Sequence, residues 1–151
     1  MLEFEIAAVY YYVARLITAQ AYFEEVPEDL ETPCVFYPAP NPDAFGFSLN
    51  AYATEFAMYI KFMDHTTLEA YELGEKVLQA IMKGRRKIPL VDGKGNLTGK
   101  SFRVNAPKLK RVDSGVYQME LSWTRYTRYT EKEVTKARDI YMNGSLIGKE
   151  E

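Results

Sequence analysis

The sequence predicts an α+β fold, in which a mixed, mainly antiparallel sheet carries two helices packed on one face and a short C-terminal helix follows. Apolar residues recur every three or four positions in two segments, about 2–20 and 66–84, as in amphipathic helices. The other segments hold short apolar runs bounded by Gly and Pro, which is typical of strands. A sheet covered by helices on one face buries the apolar side of both kinds of element.

The N-terminal part is predicted to form one helix and two short strands. The helix covers residues 2 to about 20, where no Gly or Pro interrupts the apolar spacing. The first strand, residues 21–26, ends at Pro27, and the second, residues 34–37, ends at Pro38, because proline cannot donate a backbone hydrogen bond to a sheet. The polar residues between the two strands predict a turn.

A longer strand is expected over residues 45–62, with a fault inside it. Its apolar residues are odd-numbered as far as Ala51 and even-numbered from Phe56 onward. Side chains alternate between the two faces of a strand, so we expect a bulge or bend near residues 52–54 that keeps both sets on the buried face.

The second half of the chain is predicted to begin with a helix and to continue with strands. Thr66 and Glu69 form a capping box, and the helix is expected to end at Gly84. The strands that follow are predicted at residues 88–91, around Phe102 and Val104, and at residues 116–128, with a glycine-rich turn at residues 92–99.

The C-terminal residues are predicted to add a short helix and a tail. Thr130 and Glu133 form a second capping box ahead of apolar residues that extend to Tyr141. We therefore interpret the chain as a single α+β domain over residues 1–142, followed by a mobile tail at residues 143–151.

Composition and motifs argue against several kinds of reactive or binding site. The chain has one Cys and one His, so it forms no internal disulfide and no site built from several such ligands. Cys34 lies in an apolar strand and His65 in a polar turn, and neither has the setting that activates a nucleophile. Residues 93–101 end in Gly-Lys-Ser like a phosphate-binding loop, but Lys94 stands where that motif needs Gly, and a strand rather than a helix follows. We expect no catalytic residue, cofactor or metal site.

A membrane segment is also not expected. No apolar stretch reaches the roughly 18 residues of a membrane span. The first residues carry acids where a signal peptide needs Lys or Arg.

Charge is divided unevenly along the chain. Residues 1–82 hold thirteen acidic and three basic side chains, whereas residues 83–138 hold fifteen basic and five acidic ones. Such asymmetry fits a nucleic-acid surface, two oppositely charged faces that attract copies of the chain, or halves whose charges pair with each other. The net charge of −2 disfavours a dedicated nucleic-acid binder, because the acidic half repels phosphates. The twelve tyrosines favour an oligomer interface.

The order of segments carries a family resemblance over roughly residues 1–130. The first helix is followed by Tyr22-Phe23-Glu24-Glu25-Val26-Pro27, an acidic turn, Pro33-Cys34-Val35-Phe36-Tyr37-Pro38, the long strand, the Thr66 helix and the closing strand Tyr117-Gln118-Met119-Glu120-Leu121-Ser122-Trp123. This layout resembles that of tail terminator proteins of long-tailed bacteriophages. The likeness is one of layout and rests on no signature motif.

The resemblance implies a structural protein of the virion without catalytic activity. It implies a homo-oligomeric ring, usually a hexamer, that caps the tail tube, ends tube polymerisation and provides the surface for head attachment. The implied partners are the tail tube protein and the head–tail connector proteins, with only weak, transient contact to DNA in the lumen and no membrane. The implied location is the head-proximal end of the tail, after synthesis in the host bacterial cytoplasm.

A cyclic ring gives the uneven charge a use. One patch of each subunit meets a different patch of the next, so opposite charges on the two patches favour closure. We therefore expect the charged segments, with the Lys94/Lys100 hairpin projecting from the sheet, to lie at contacts with a neighbouring subunit, the tail tube or the lumen. The candidate interface residues are Glu24, Glu25, Glu28, Asp29, Glu31, Arg85, Arg86, Lys87, Lys94, Lys100, Lys108, Lys110, Arg111, Tyr126 and Arg128.

Two other classes of protein stay open at this point. Another ring of the same particle, a head–tail connector or completion protein, has the same expected properties. A small cytosolic binding module or enzyme requires a concave pocket with convergent polar groups.

Overall fold

The computed structural model describes residues 2–129, with side chains from Glu5 onward. In this part the chain forms two compact units, one of residues 2–42 and 56–123 and one of residues 43–55 and 124–129. The elements in chain order are α1 (Leu2–Leu16), β1 (Gln20–Tyr22), β2 (Cys34–Phe36), β3 (Asn41–Gly46), β4 (Ala51–Met63), α2 (Thr67–Lys83), β5 (Lys87–Val91), β6 (Leu97–Arg103), β7 (Lys108–Asp113) and β8 (Val116–Arg128).

The expected C-terminal helix after Thr130 and the tail at residues 143–151 lie outside the described residues. The interpretation of residues 1–142 as a single domain stays a prediction for the same reason.

The main sheet has the strand order β1-β2-β4-β8-β7, and β3 pairs with β4. β1 pairs with β2 in parallel, whereas β2 with β4 and β7 with β8 pair antiparallel. β5 and β6 form a separate antiparallel sheet. The prediction of an α+β fold with a mixed, mainly antiparallel sheet is confirmed, and β1 and β7 are the two ends of the strand order.

Both helices contribute to one buried core on the main sheet. The buried residues of β4 between positions 56 and 62 are all even-numbered, and those of β8 between 119 and 123 are all odd-numbered. Alternate residues of a strand share a face, so each strand turns one face to the core. Val13 of α1 and Val77 of α2 lie in the same buried cluster as these strand residues, which places both helices on that face.

α2 begins and ends where the sequence predicts. The Thr66 hydroxyl accepts a hydrogen bond from the Glu69 amide at 3.1 Å, which is the N-cap bond of the predicted capping box, and donates one to Glu69 Oε1 at 3.2 Å. At the other end the Gly84 amide donates to the Ala80 carbonyl at 2.9 Å. The backbone of Gly84 has φ −82°, so this glycine is not the left-handed residue that often closes a helix.

α1 ends at Leu16, earlier than the predicted residue 20. Gln20 instead begins β1, where it lies opposite Cys34, and its amide donates to the Pro33 carbonyl at 3.0 Å. Strand pairing therefore determines the structure at Gln20, which helical spacing alone assigns to the helix.

The strand predicted over residues 45–62 is two strands, and the interruption comes earlier than residues 52–54. The chain bends at residues 48–50 between β3 and β4. The Ser48 amide donates to the Ala51 carbonyl at 2.9 Å, and the Ser48 hydroxyl accepts from the Asn50 amide at 3.2 Å. These local hydrogen bonds turn the chain. The buried residues change parity later, within β4, because Ala53 and Phe56 are both buried, and this change lies close to the predicted bulge or bend.

β7 was not among the predicted strands, because charged and exposed residues dominate it. Its half-buried Leu109 packs against α2, where Gly74 leaves the necessary space. A Cβ at position 74 would lie 2.7 Å from Leu109 Cδ1, so the present position of the Leu109 side chain requires glycine there.

Candidate assembly interface

The acidic residues of the N-terminal half lie on one exposed segment. Residues 23–33 join β1 to β2, and we call them the acidic connector. It is fixed at both ends: the Phe23 ring stacks on the Tyr37 ring with 5.4 Å between centroids, and Thr32 Oγ1 lies 3.1 Å from Nε2 of His65. All its carboxylate side chains are exposed, namely Glu24, Glu25, Glu28, Asp29 and Glu31.

The second charged surface lies on the opposite edge of the same sheet. Lys108, Lys110 and Arg111 are exposed on β7, and we call them the β7 surface. Lys108 stands directly opposite Glu120 of β8 in the antiparallel register. The first unit therefore has acidic residues next to its β1 edge and basic residues on its β7 edge.

The third charged surface is the turn from α2 to β5. The Arg86 amide donates to the Ile81 carbonyl at 2.8 Å and the Arg85 amide to the Met82 carbonyl at 3.0 Å, which is the hydrogen-bond pattern of a Schellman motif. In that motif the left-handed position belongs to the residue after the helix cap. Here it is occupied by Arg85, with φ 61°, and Arg86 follows with φ 62°.

The two arginines of this turn have different surroundings. Arg86 is half-buried, its guanidinium donates to the Val104 carbonyl at 3.4 Å, and its own carbonyl accepts from the Val104 amide at 2.8 Å. Arg86 thus holds the turn to the end of β6. Arg85 is exposed, and so is Lys87 at the start of β5.

The structure adds Arg103, which sequence reasoning did not single out. Arg103 ends β6 and lies directly opposite Lys87 in the β5–β6 register, and both are exposed. The two positions are sixteen residues apart in the sequence. Only the pairing of β5 with β6 brings them together, and no local pattern signals it. We call Arg85, Lys87 and Arg103 the basic turn surface.

Lys94 and Lys100 are exposed on the β5–β6 hairpin. Asp92 shapes the tip, because its Oδ1 accepts hydrogen bonds from the Asn96 amide at 2.9 Å and the Lys94 amide at 2.8 Å. These donors, with Asn96 first, lower the pKa of the Asp92 carboxyl. β6 begins at Leu97, inside the turn predicted over residues 92–99, so the Gly-Lys-Ser sequence lies within a strand. As expected, no helix N-terminus follows it.

Tyr126 and Arg128 belong to the second unit and are exposed. The Tyr126 ring lies 4.6 Å from the Phe47 ring, between centroids. The Tyr129 amide donates to the Asn50 carbonyl at 2.9 Å. The end of β8 and the bend after β3 therefore support each other in this unit.

Cys34 and His65 occupy structural positions. Cys34 is fully buried, and burial, together with the negative charge of Asp64, raises the pKa of its thiol. A thiol with a raised pKa stays protonated at neutral pH and is a weak nucleophile. Among residues 2–129, no group of three or more His, Cys, Asp or Glu side chains is arranged to hold a metal ion.

One groove of about 330 Å³, lined by four charged side chains, lies beside the start of α2. Asp64 and Glu69 already have local roles: Asp64 Oδ1 accepts from the His65 amide at 2.7 Å, and Glu69 Oε1 accepts from the Thr66 hydroxyl. Its lining residues are Ile17, Thr18, Asp64, Glu69, Glu72, Leu73 and Lys76.

In the described part of the chain, neither α1 nor α2 has the combination of length and hydropathy that a membrane crossing requires.

Comparison with known proteins shows that this chain is similar to a phage-related protein. It is 22% identical over 125 residues to the phage-like element PBSX protein XkdJ of Bacillus subtilis (strain 168). The aligned residues cover 83% of this chain and 86% of that protein. It is also 22% identical over 120 residues to the uncharacterized protein YqbJ of the same organism, over 80% of this chain and 82% of that protein. The chain matches no protein-family model.

Proposed function

We propose that this chain is a structural protein of a phage particle, the tail terminator. In this role it forms a ring, usually hexameric, that caps the tail tube, ends tube polymerisation and provides the surface to which the head attaches. Its similarity to a phage-like element protein supports the phage association. The order of its helices and strands, which resembles that of the tail terminator family, supports the finer role.

One observation carries the ring: the first unit presents its acidic and its basic residues on separate exposed surfaces. The acidic residues lie in the connector after β1, and the basic residues lie on the basic turn surface and on the β7 surface. Two copies of such a unit attract each other head to tail. A head-to-tail contact repeats from copy to copy and closes into a ring when its rotation allows. A symmetric dimer contact, in contrast, uses the same surface of both copies, so acidic and basic residues on separate surfaces do not meet in it.

The proposed role needs no reaction at the protein. Its partners are copies of itself, the tail tube protein and the head–tail connector proteins, and its place is the head-proximal end of the tail. The protonated, buried thiol of Cys34 and the local hydrogen bonds of Asp64 and Glu69 agree with a role that depends on surfaces rather than on chemistry.

Electron microscopy of phage particles with and without the gene tests this function. Loss of a tail terminator leaves tube growth unchecked, so we expect tubes of uneven and excessive length that are not joined to heads. Purified protein should appear as closed rings and should decorate one end of isolated tubes. Tails of normal length that fail to join heads, with the protein located on the portal side, would instead identify a head–tail connector or completion ring. Normal, joined tails without the gene would contradict both roles.

A further inference from the structure

The basic turn surface contains an arginine where the backbone favours glycine. Arg85 takes the left-handed position of the Schellman motif with φ 61°, whereas Gly84, one residue earlier, has φ −82°, a backbone conformation that residues with side chains adopt readily. Left-handed backbone is unfavourable for a residue with a Cβ, and glycine avoids this cost. The order Gly84–Arg85 therefore keeps a guanidinium at a position that destabilises the isolated chain.

The same surface keeps two like charges side by side. Lys87 and Arg103 are direct cross-strand neighbours, and like charges in that arrangement repel. Among residues 2–129, no carboxylate forms an ion pair with Arg85, Lys87 or Arg103. An anionic partner would remove the repulsion, and none is present in the described part of the chain.

The β7 surface has an explanation within one chain, in contrast to the basic turn surface. Lys108 faces Glu120 across the β7–β8 register, which compensates part of its charge. Lysines on an edge strand also prevent unwanted pairing of that edge with other strands. Arg85 lies in a turn, where edge protection has no role, and Lys87 faces Arg103 instead of a carboxylate.

The end of the acidic connector that contains Glu31 is too far from Arg85 to pair with it in the same chain. Thr32, near that end, contacts His65, which directly precedes the N-cap of α2. Arg85 follows the other end of α2. The seventeen residues of this helix span about 25 Å at 1.5 Å per residue, so Glu31 and Arg85 of one chain do not meet.

We infer that Arg85, Lys87 and Arg103 form the surface that receives the acidic connector of a second copy of this chain. The inference rests on the proposed ring and names the two surfaces that meet in it. A nucleic acid is the less suitable partner, because the chain has a net charge of −2 and its exposed acidic residues repel phosphates. The β7 surface then protects an edge and does not bind the connector.

Charge reversal tests which basic surface makes the contact. The variant R85E/K87E/R103E should weaken self-association at least tenfold in sedimentation velocity at low salt, whereas K108E/K110E, on the β7 surface, should associate like the wild type. Circular dichroism and thermal unfolding confirm that both variants are folded. An unchanged association of R85E/K87E/R103E, or dissociation caused only by K108E/K110E, would overturn the inference while leaving the ring itself intact.

A mixing experiment identifies the partner surface. The variant E24K/E25K/E28K should fail to associate alone, because its connector and its basic turn surface are both positive. When it is mixed with R85E/K87E/R103E, each contact again joins opposite charges, so association should return in an alternating assembly. Continued dissociation of the mixture would overturn the assignment of the connector as the partner.

The single substitution Arg85→Gly separates stability from assembly. Glycine relieves the left-handed backbone, so R85G should unfold about 3 °C above the wild type. It should nevertheless associate more weakly, whereas R85K, which keeps the charge and the strained backbone, should associate like the wild type. A merely structural role for Arg85 would leave association unchanged in R85G.

Binding to double-stranded DNA serves as the counter-test. If R85E/K87E/R103E associated normally but lost a strongly salt-dependent affinity for DNA that the wild type possessed, the surface would be a nucleic-acid site and the inference would be wrong. A wild-type chain that stayed monomeric at all concentrations would contradict it too. Failure of the tail terminator role alone would appear in the gene-deletion particles, independently of these variants.

Discussion

The ring of Tyr11 lies against the backbone of Gly95, so closely that a Cβ on Gly95 would be 2.7 Å from Cζ of the tyrosine. Gly95 also has φ +84°, a conformation that residues with side chains rarely adopt. Both features favour glycine at position 95, and the contact with Tyr11 packs the tip of the β5–β6 hairpin against α1. The hairpin that carries Lys94 is therefore part of the packed first unit, which gives its lysines a fixed position on the surface.

Gly95→Ala should destabilise the protein more than Gly99→Ala does. Both glycines have positive φ, but no atom lies within 4 Å of a Cβ at position 99. Gly99→Ala should thus cost about 1 kcal/mol for the backbone alone. Gly95→Ala should cost about 1–3 kcal/mol more, because the methyl group displaces the Tyr11 ring. Urea unfolding measures both, and equal costs would show that the contact with Tyr11 is unimportant.

Thr66→Ala should lower the free energy of unfolding by about 1 kcal/mol, because the Glu69 amide loses its acceptor at the start of α2. Thr66→Ser keeps the hydroxyl and is the matched control. Chemical denaturation followed by circular dichroism gives both values. A serine variant as unstable as the alanine variant would mean that the methyl group of Thr66, and not its hydroxyl, stabilises the helix start.

Trp123→Ala should be among the most destabilising substitutions, with a loss of about 3–5 kcal/mol. The Trp123 side chain is buried, and its ring lies 5.6 Å from that of Phe56 and 5.5 Å from that of Phe102, between centroids. Trp123→Phe should cost less than half as much, because the indole Nε1 has no hydrogen-bond partner among the described residues and nothing polar is lost. Urea unfolding followed by circular dichroism checks both variants.

Alkaline pH should destabilise the protein, and Tyr37→Phe should reduce this loss. Burial, with a smaller contribution from Tyr10, raises the pKa of the Tyr37 phenol far above its ordinary value of 10.0. The unfolded chain releases this proton at about pH 10 and the folded chain does not. The stabilising contribution of the neutral phenol is therefore complete below pH 10 and decreases as the pH rises above it.

Thermal unfolding of wild type and Y37F between pH 7 and pH 11 measures this effect. Cys34, whose pKa burial raises from 9.0, contributes a loss of the same sign that begins near pH 9 in both proteins. The two curves should therefore run in parallel to about pH 10 and then separate. Parallel curves up to pH 11 would contradict a buried, neutral phenol at position 37.

Local signals in the sequence predicted the elements whose ends depend on neighbouring residues. Thr66 and Glu69 fix the start of α2 by a hydrogen bond that spans three residues, and the alternation from residue 116 to 128 is the whole of β8. The end of α1 depends on the pairing of Gln20 with Cys34, and the start of β3 on its pairing with β4, so periodicity placed both wrongly. β7 shows one half-buried apolar residue, Leu109, and its space is provided by Gly74 of another element.

The sequence also predicted only part of the candidate interface. Charge counts along the chain selected the acidic connector and the basic segments, because those residues are close in sequence. Arg85 is identified as a candidate contact residue by its φ of 61°, and Arg103 by the register that places it opposite Lys87. Both are properties of the folded chain, and neither the sequence around Gly84 nor that around Arg103 contains them.

The strand order also governs when the sheet is completed during synthesis. β2 needs β4 as its partner, with Cys34 opposite Met63, and β4 in turn lies beside β8, which begins only at Val116. Contacts between such distant residues form slowly, because a long stretch of chain must first close into a loop. The edge of β4 that pairs with β8 therefore stays unpaired until β8 has left the ribosome. This delay should increase the need for chaperones and lower the yield of soluble protein at high expression rates.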